Sequence, residues 1–162
     1  MCYNENVPGE ADHQAYMREA LLEAQAAYGE GEIPVGAVAV HNGQIIGRGH
    51  NQREELGDPT AHAEMVALRQ AAQMLGGWRL SEVTLYCTME PCSMCAGAMV
   101  LARLPHLVYA VDDPKAGAAG SVFDIVRSPR LNHQVQVTNG ILAEEVRDLL
   151  NLFFKELRGR AK

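Results

Sequence analysis

The chain has 162 residues, 48% of them apolar and 21% charged, which is the balance of a soluble globular protein and a length suited to one ordinary domain. No apolar run approaches the ~18 residues of a membrane span, and no stretch has the charged, apolar, small-residue succession of a signal peptide, so a cytoplasmic location and no membrane partner are expected. The formal net charge of −6 argues against general attraction to nucleic acid, but residues 1–99 carry 5 basic and 13 acidic side chains whereas residues 100–162 carry 9 and 7.

Residues 1–10 are polar and expected to fray. Over 12–28 the apolar positions Met17, Leu21, Ala24 and Tyr28, with Ala20 and Ala27 beside them, fall on one helical face, and Gly29 and Gly31 end it. His13 and His41 are expected at the surface. "IPVGAVAV" reads as a buried strand, and Asn42-Gly43 supplies the positive-φ pair of a tight turn into "QIIGRGHN". The charged loop "REELGDPT" leads to a helix expected over 59–75, with Asp58 as its cap and Pro59 just inside. "VTLYCT" is a strand, Pro91 is expected to open a third helix, and "HLVYAV" is another strand. The glycine-rich loop "DDPKAGAAGS" follows, then a short strand around "VQV" and a periodic closing helix over 141–157. The last eight residues, "KELRGRAK", hold four basic side chains and one acidic. A polyanion contact and a solvated helix end explain that tail equally well. An initial hairpin followed by alternating strands and helices predicts a three-layer α/β/α sandwich around a mixed five-stranded sheet. One domain spanning 1–162 is expected, with 158–162 as a basic tail.

The chemistry concentrates in two short motifs. Cys92 and Cys95 stand in "PCSMC", and a thiol pair at that spacing serves a redox couple, half of a metal site, or nothing. A zinc site needs further donors, and "DPTAHAEM" offers His62, two residues before Glu64. Both motifs sit where a helix begins, so their ligands can converge. His62, Cys92 and Cys95 make three protein ligands with no fourth at a motif-like spacing, which describes a catalytic zinc rather than a closed structural one. Two thiolates nearly cancel the ion's charge, and the positive ends of two helices partly compensate. Glu64 is placed to shuttle protons between water and a substrate nitrogen. His-x-Glu followed by Pro-Cys-x-x-Cys is the pattern of zinc deaminases of nucleobases. Cys87, alternating with Leu85 on a strand, is expected as an inert core thiol, and Cys2 as exposed. Met89, Met94 and Met99 are expected as core or interface filling.

With these residues in place the chain resembles the cytidine-deaminase-like superfamily and, within it, the tRNA-specific adenosine deaminases. The resemblance runs from the first helix to about Leu157, through "IPVGAV", "GHN", "DPTAHAEM", "TMEPCSMCAGAM", "DDPKAGAAGS" and "NHQVQVTNGILAEE". It implies one Zn2+ per subunit on His62, Cys92 and Cys95, Glu64 as acid and base, and conversion of the wobble adenosine of a tRNA anticodon to inosine. Asn51 would hydrogen-bond the flipped base, the backbone amides of Ala63 and Cys92 would border the reacting centre, and Asp113 and Lys115 would lie near the sugar-phosphate. It further implies a homodimer whose subunits both touch the anticodon loop. The chain departs from the expected pattern at Pro114 and at His50, where a bulky aromatic is expected. A deaminase of free guanine or cytosine, using the same zinc site, is the alternative within enzymes. An RNA-binding subunit with a structural zinc is the alternative outside them, and Glu64 speaks against it.

Overall fold

A computed structural model of the chain describes residues 8–162. The expectation for Cys2 lies outside the described residues. Helix α1 (Glu10–Gly29) begins two residues earlier than expected, and its leading Gly9 N–H donates to Asp12 Oδ2 at 3.0 Å. The stripe that α1 buries is His13, Met17, Ala20, Ala24 and Ala27, a 3.6-residue period set one step around from the Met17–Leu21–Tyr28 face. His13 is therefore interior, which corrects the surface expectation. Its Nδ1 lies 2.9 Å from the Tyr86 hydroxyl, so the buried ring keeps a polar partner. The alanines let α1 sit directly on the sheet. A Cβ on Gly36 would collide with the Ala20 carbonyl, so only glycine admits this approach.

Strand β1 (Gly36–His41) turns through Asn42 and Gly43, both at positive φ, into β2 (Gln44–His50), as the Asn-Gly pair predicts. The remaining strands are β3 (Val83–Met89), β4 (His106–Val111) and β5 (Gln136–Asn139), and the order across the sheet is β2-β1-β3-β4-β5. β1 is antiparallel to β2 and to β3, whereas β3–β4 and β4–β5 are parallel, so the five-stranded sheet is mixed as expected.

Alternation along the strands splits the core in two. Val38, Val40, Tyr86, Val108 and Ala110 pack against α1 and against Val146 and Leu150 of the closing helix α5 (Ala143–Arg160). Ala37, Ala39, Leu85, Cys87 and Leu107 pack against α3 (Ala63–Leu75) and α4 (Ser93–Leu101). The result is the three-layer sandwich, with Cys87 fully buried as expected. Met99 is fully buried, and Met94 packs against the same core.

Further differences from the sequence reading lie in the loops and at helix ends. The residues before α3 do not form helix, because the Asp58 carboxylate accepts from the Thr60 N–H and hydroxyl, both at 2.8 Å, and closes a local turn instead. Helix α3 consequently starts at Ala63, capped by His62 in an extended conformation. Pro91 likewise stands one residue before the cap, which is Cys92. A one-turn helix, α2 (Arg53–Leu56), occupies the loop read as irregular and ends on Gly57 at positive φ. At the far end α5 runs through Arg160, so Arg158 and Arg160 form its last turn rather than a separate tail. His41, the last residue of β1, is half-buried, with Nε2 3.3 Å from Glu82 Oε2.

Register sets the location of the chemistry. Gly36 of β1 pairs with His50 at the end of β2, and Met89 at the end of β3 pairs with Val111 at the end of β4. The chain leaving β2, β3 and β4, and the chain entering β1, thus meet at one end of the sheet, where crevices of α/β folds form.

Candidate active site

Asn51, Glu90 and Asp113 follow β2, β3 and β4 at that end, and the caps of α3 and α4 bring in His62 and Cys92 from the same side. His62 Nδ1 lies 3.6 Å from Cys92 Sγ and 3.6 Å from Cys95 Sγ. All three donor atoms fall within 4.8 Å of one another, a grouping that could hold a metal ion. Tetrahedral zinc with bonds of about 2.3 Å to sulfur and about 2.0 Å to nitrogen requires nitrogen and sulfur about 3.5 Å apart. The observed separations meet that requirement, so the donor set fits a zinc ion in both chemistry and spacing.

Protonation of the group follows from its crowding. Cys92 is drawn down to about 3 because it accepts hydrogen bonds from the Cys95 thiol and, against the opposing effect of burial, from the His62 imidazole. Cys95 is pushed up by that same bond, by burial and by the nearby Glu64 and Cys92 charges. The hydrogen bond to Cys92 raises His62, with burial acting in the opposite sense. Glu64, on the first turn of α3 and 4% exposed, has Oε2 3.1 Å from Cys95 Sγ, whose one proton is shared between Glu64 and Cys92. Burial pushes its carboxyl above the usual carboxylate range, the direction a general acid requires near neutral pH.

A cavity of about 210 Å³ opens over this group. His62, Glu64 and Cys92 form its floor, and Ile33, Val35 and Met89 give it apolar walls of the kind that clasp a flat ring. Asn51 lines it with 6% exposure, held by its N–H to the Val35 carbonyl at 3.1 Å. Ala63 and Asp113 line it as well. Lys115 does not. It is exposed beside the mouth, its N–H donating to Asp113 Oδ1 at 3.0 Å. Cys95 sits beneath the floor, fully buried. Next to Asn51, His50 directs Nδ1 to Glu23 and Nε2 to Glu30, each at 3.0 Å, so an ionic clip stands where an aromatic is expected.

Sequence reasoning missed the apolar walls and two charged lining residues, Arg53 and Glu90. Arg53 is the one basic side chain among the lining residues other than histidine, and it belongs to the one-turn helix that carried no periodic signal. Glu90, 3% exposed, was readable as a charge set between an apolar strand and Pro91.

The model of the MafB19-like deaminase family matches residues 11–158. A protein of Bacillus subtilis named tRNA-specific adenosine deaminase is 48% identical over 149 residues, covering 92% of either chain. Among solved structures, one from studies of A-to-I editing by tRNA:A34 deaminases at the wobble position superposes with a TM-score of 0.81 at 41% identity, covering 84% of this chain and 99% of its own. A second, NE0047 in complex with 2,6-diaminopurine, superposes with a TM-score of 0.73 at 26% identity, covering 87% and 80%.

Proposed function

This chain belongs to the MafB19-like deaminase family, and we propose that it converts the wobble adenosine of a tRNA anticodon to inosine by zinc-dependent hydrolysis. The observation that carries the reading is the convergence of His62, Cys92 and, just beneath them, Cys95 beside the buried Glu64 at the bottom of a ring-sized cavity. Near-full-length likeness to tRNA-specific adenosine deaminases supports the choice of substrate.

His62, Cys92 and Cys95 would hold the zinc, which when bound supplies the Lewis acidity that makes water nucleophilic at neutral pH. Glu64 takes a proton from that water and gives it to adenine N1 as a C–O bond forms at C6. It then takes the proton of the hydroxyl now on C6 and passes it to the exocyclic amine, the C6–N bond breaks as the C6 carbonyl forms, and ammonia leaves with inosine as product. A carboxyl raised by burial suits both halves of this exchange. Asn51 holds the base edge, and Ile33, Val35 and Met89 pack its faces. The backbone amides of Ala63 and Cys92 border the reacting carbon, and Asp113 and Lys115 meet the sugar-phosphate at the mouth.

An adenine stacked in a duplex cannot present C6 to a recessed site. An unpaired anticodon base turns outward at modest cost, which favours loop RNA. The chain acts as a single deaminase domain, and a homodimer brings a second surface to the anticodon loop. Basic residues of the last helical turn, Arg158 and Arg160, then contact phosphates. Incubation with an anticodon stem-loop RNA and, separately, with free adenine, guanine and cytosine tests the proposal. Inosine in the RNA is expected. Turnover of free bases with the RNA untouched would favour the free-base reading, to which the purine-bound structural relative gives support.

A further inference from the structure

Glu90 has no part in the proton transfers above, yet it is a buried carboxylate at the cavity wall, directly before Pro91 and Cys92. Its Oε1 accepts from the Ser121 N–H at 3.2 Å and the Ser121 hydroxyl at 3.0 Å, and its Oε2 accepts from the Asp113 N–H at 3.2 Å. The Tyr109 hydroxyl lies 3.3 Å from Oε1 and 3.2 Å from Asp112 Oδ1, so its proton is shared between them. One side chain at the end of β3 therefore grips both ends of the glycine-rich segment 113–121.

Main-chain bonds continue the stitching. The Glu90 N–H donates to the Val111 carbonyl at 2.9 Å, and the Ala118 N–H donates to the Pro91 carbonyl at 2.8 Å. Gly117 packs so tightly on the carboxylate that a methyl group there would overlap Oε2. The outer residues of the segment, Pro114, Lys115 and Ala116, are exposed, and Ala116 and Asp113 line the cavity. The segment has no helix or strand of its own, and apart from Glu90 it is held by the Val122 N–H on the Gly117 carbonyl, the Ile125 N–H on the Ala118 carbonyl and the Arg127 guanidinium on the Ala119 carbonyl.

We propose that Glu90 is a positioning residue, whose carboxylate holds the 113–121 segment as the preformed wall that receives the nucleotide flanking the reacting base. The proposal rests on the functional reading above and adds to it the device that fixes the mouth. Because Cys92 follows two residues later, the same side chain ties the substrate wall to the metal-ligand turn. Pre-organisation of this kind acts on binding rather than on the proton transfers.

The test compares wild type with Glu90→Gln and Ser121→Ala as zinc-loaded full-length proteins. Gln turns one accepting oxygen into an NH2 that faces a donor. The KM for an anticodon stem-loop RNA is expected to rise roughly tenfold in Glu90→Gln and about threefold in Ser121→Ala, with kcat within about twofold and zinc content unchanged. Trypsin cleavage after Lys115, located by mass spectrometry, should accelerate roughly tenfold in Glu90→Gln, because cleavage tracks the open population of the segment. An unchanged KM with unchanged cleavage would overturn the proposal, as would a collapse of kcat with loss of zinc. Should Glu90→Gln not fold, Ser121→Ala decides the matter alone, an unchanged KM and cleavage rate overturning it. If wild type leaves the RNA unmodified, the functional reading falls, while the cleavage comparison still judges the grip on the segment.

Discussion

Replacing Gly117 by alanine places a methyl group where the structure has none to spare. Its Cβ would fall on the Glu90 carboxylate and lie 2.6 Å from the Asp113 carbonyl oxygen, against the 3.4 Å at which ordinary contact begins. Asp113 must then retreat by about 0.8 Å, and the Gly117 N–H that donates to that carbonyl at 2.9 Å moves with it. A glutamate tip at the surface would swing aside at little cost. Here it is 3% exposed, and the Ser121 and Asp113 amides would lose their acceptor. Overpacking costs about 1–3 kcal/mol and each of the two stranded amides about 1 kcal/mol at a partly wetted site, roughly 3–5 kcal/mol together. For a chain of this size that lowers Tm by about 6–20 °C. Thermal unfolding followed by circular dichroism, with kcat/KM on a stem-loop RNA, measures both effects. Gly159→Ala on α5, where an added methyl meets nothing, serves as the control and should hold or slightly raise Tm. A Gly117→Ala protein with wild-type Tm and wild-type kcat/KM would refute the reasoning.

Glu64→Gln should lower kcat by about 10²–10⁴-fold while zinc content and Tm stay near wild type, since the change removes a proton carrier and preserves shape. An unaltered rate would remove Glu64 from the mechanism. Stripping the metal with a chelator should abolish activity and lower Tm, and one equivalent of zinc should restore both, because a ligand bound to the native state alone stabilises it. Restoration by no added metal would contradict a resident zinc. At His50 burial opposes the charged ring, but hydrogen bonds to Glu23 and Glu30 and their negative charges outweigh it and raise the pKa above 6.5. The folded-state value then exceeds the unfolded one, so the stabilisation is fully present below pH ~6.5 and is lost as pH rises through the raised value. His50→Gln should therefore be less stable than wild type in urea at pH 6, by a margin that shrinks toward pH 8.5. A margin that grows with pH would reverse the sign and exclude the clip.

Much of the architecture was legible because its signals are local. The Asn42-Gly43 turn requires positive φ at two positions, and few residue pairs supply it. The grouping of His62, Cys92 and Cys95 was legible for a different reason: His62 and Cys92 each stand at the start of a helix, so a short motif carries its own structural context. What escaped was set by competition. Asp58 could cap a helix or close a turn on Thr60, and the turn won, delaying α3 to Ala63 and leaving His62 extended at its cap. His13 lay on the buried stripe of α1, but a polar ring gives no hydropathy signal, and its partner Tyr86 is 73 residues away. Glu90 escaped likewise, since its four donors come from β4 and a loop more than 18 residues downstream. The basic end of the chain was visible as charge, whereas its place inside α5 followed from a helix that runs past the last apolar position.

The proposed deamination takes ammonia from one exposed adenine of a folded RNA at a recessed zinc site. Its most direct measurement is inosine mapping on a bulk tRNA pool prepared without the modification and incubated with the zinc-loaded protein. Inosine is expected at the first anticodon position of an adenosine-bearing tRNA, and none when Glu64→Gln replaces wild type. A pool left unmodified by active, zinc-loaded protein, or inosine spread over positions outside the anticodon loop, would contradict it.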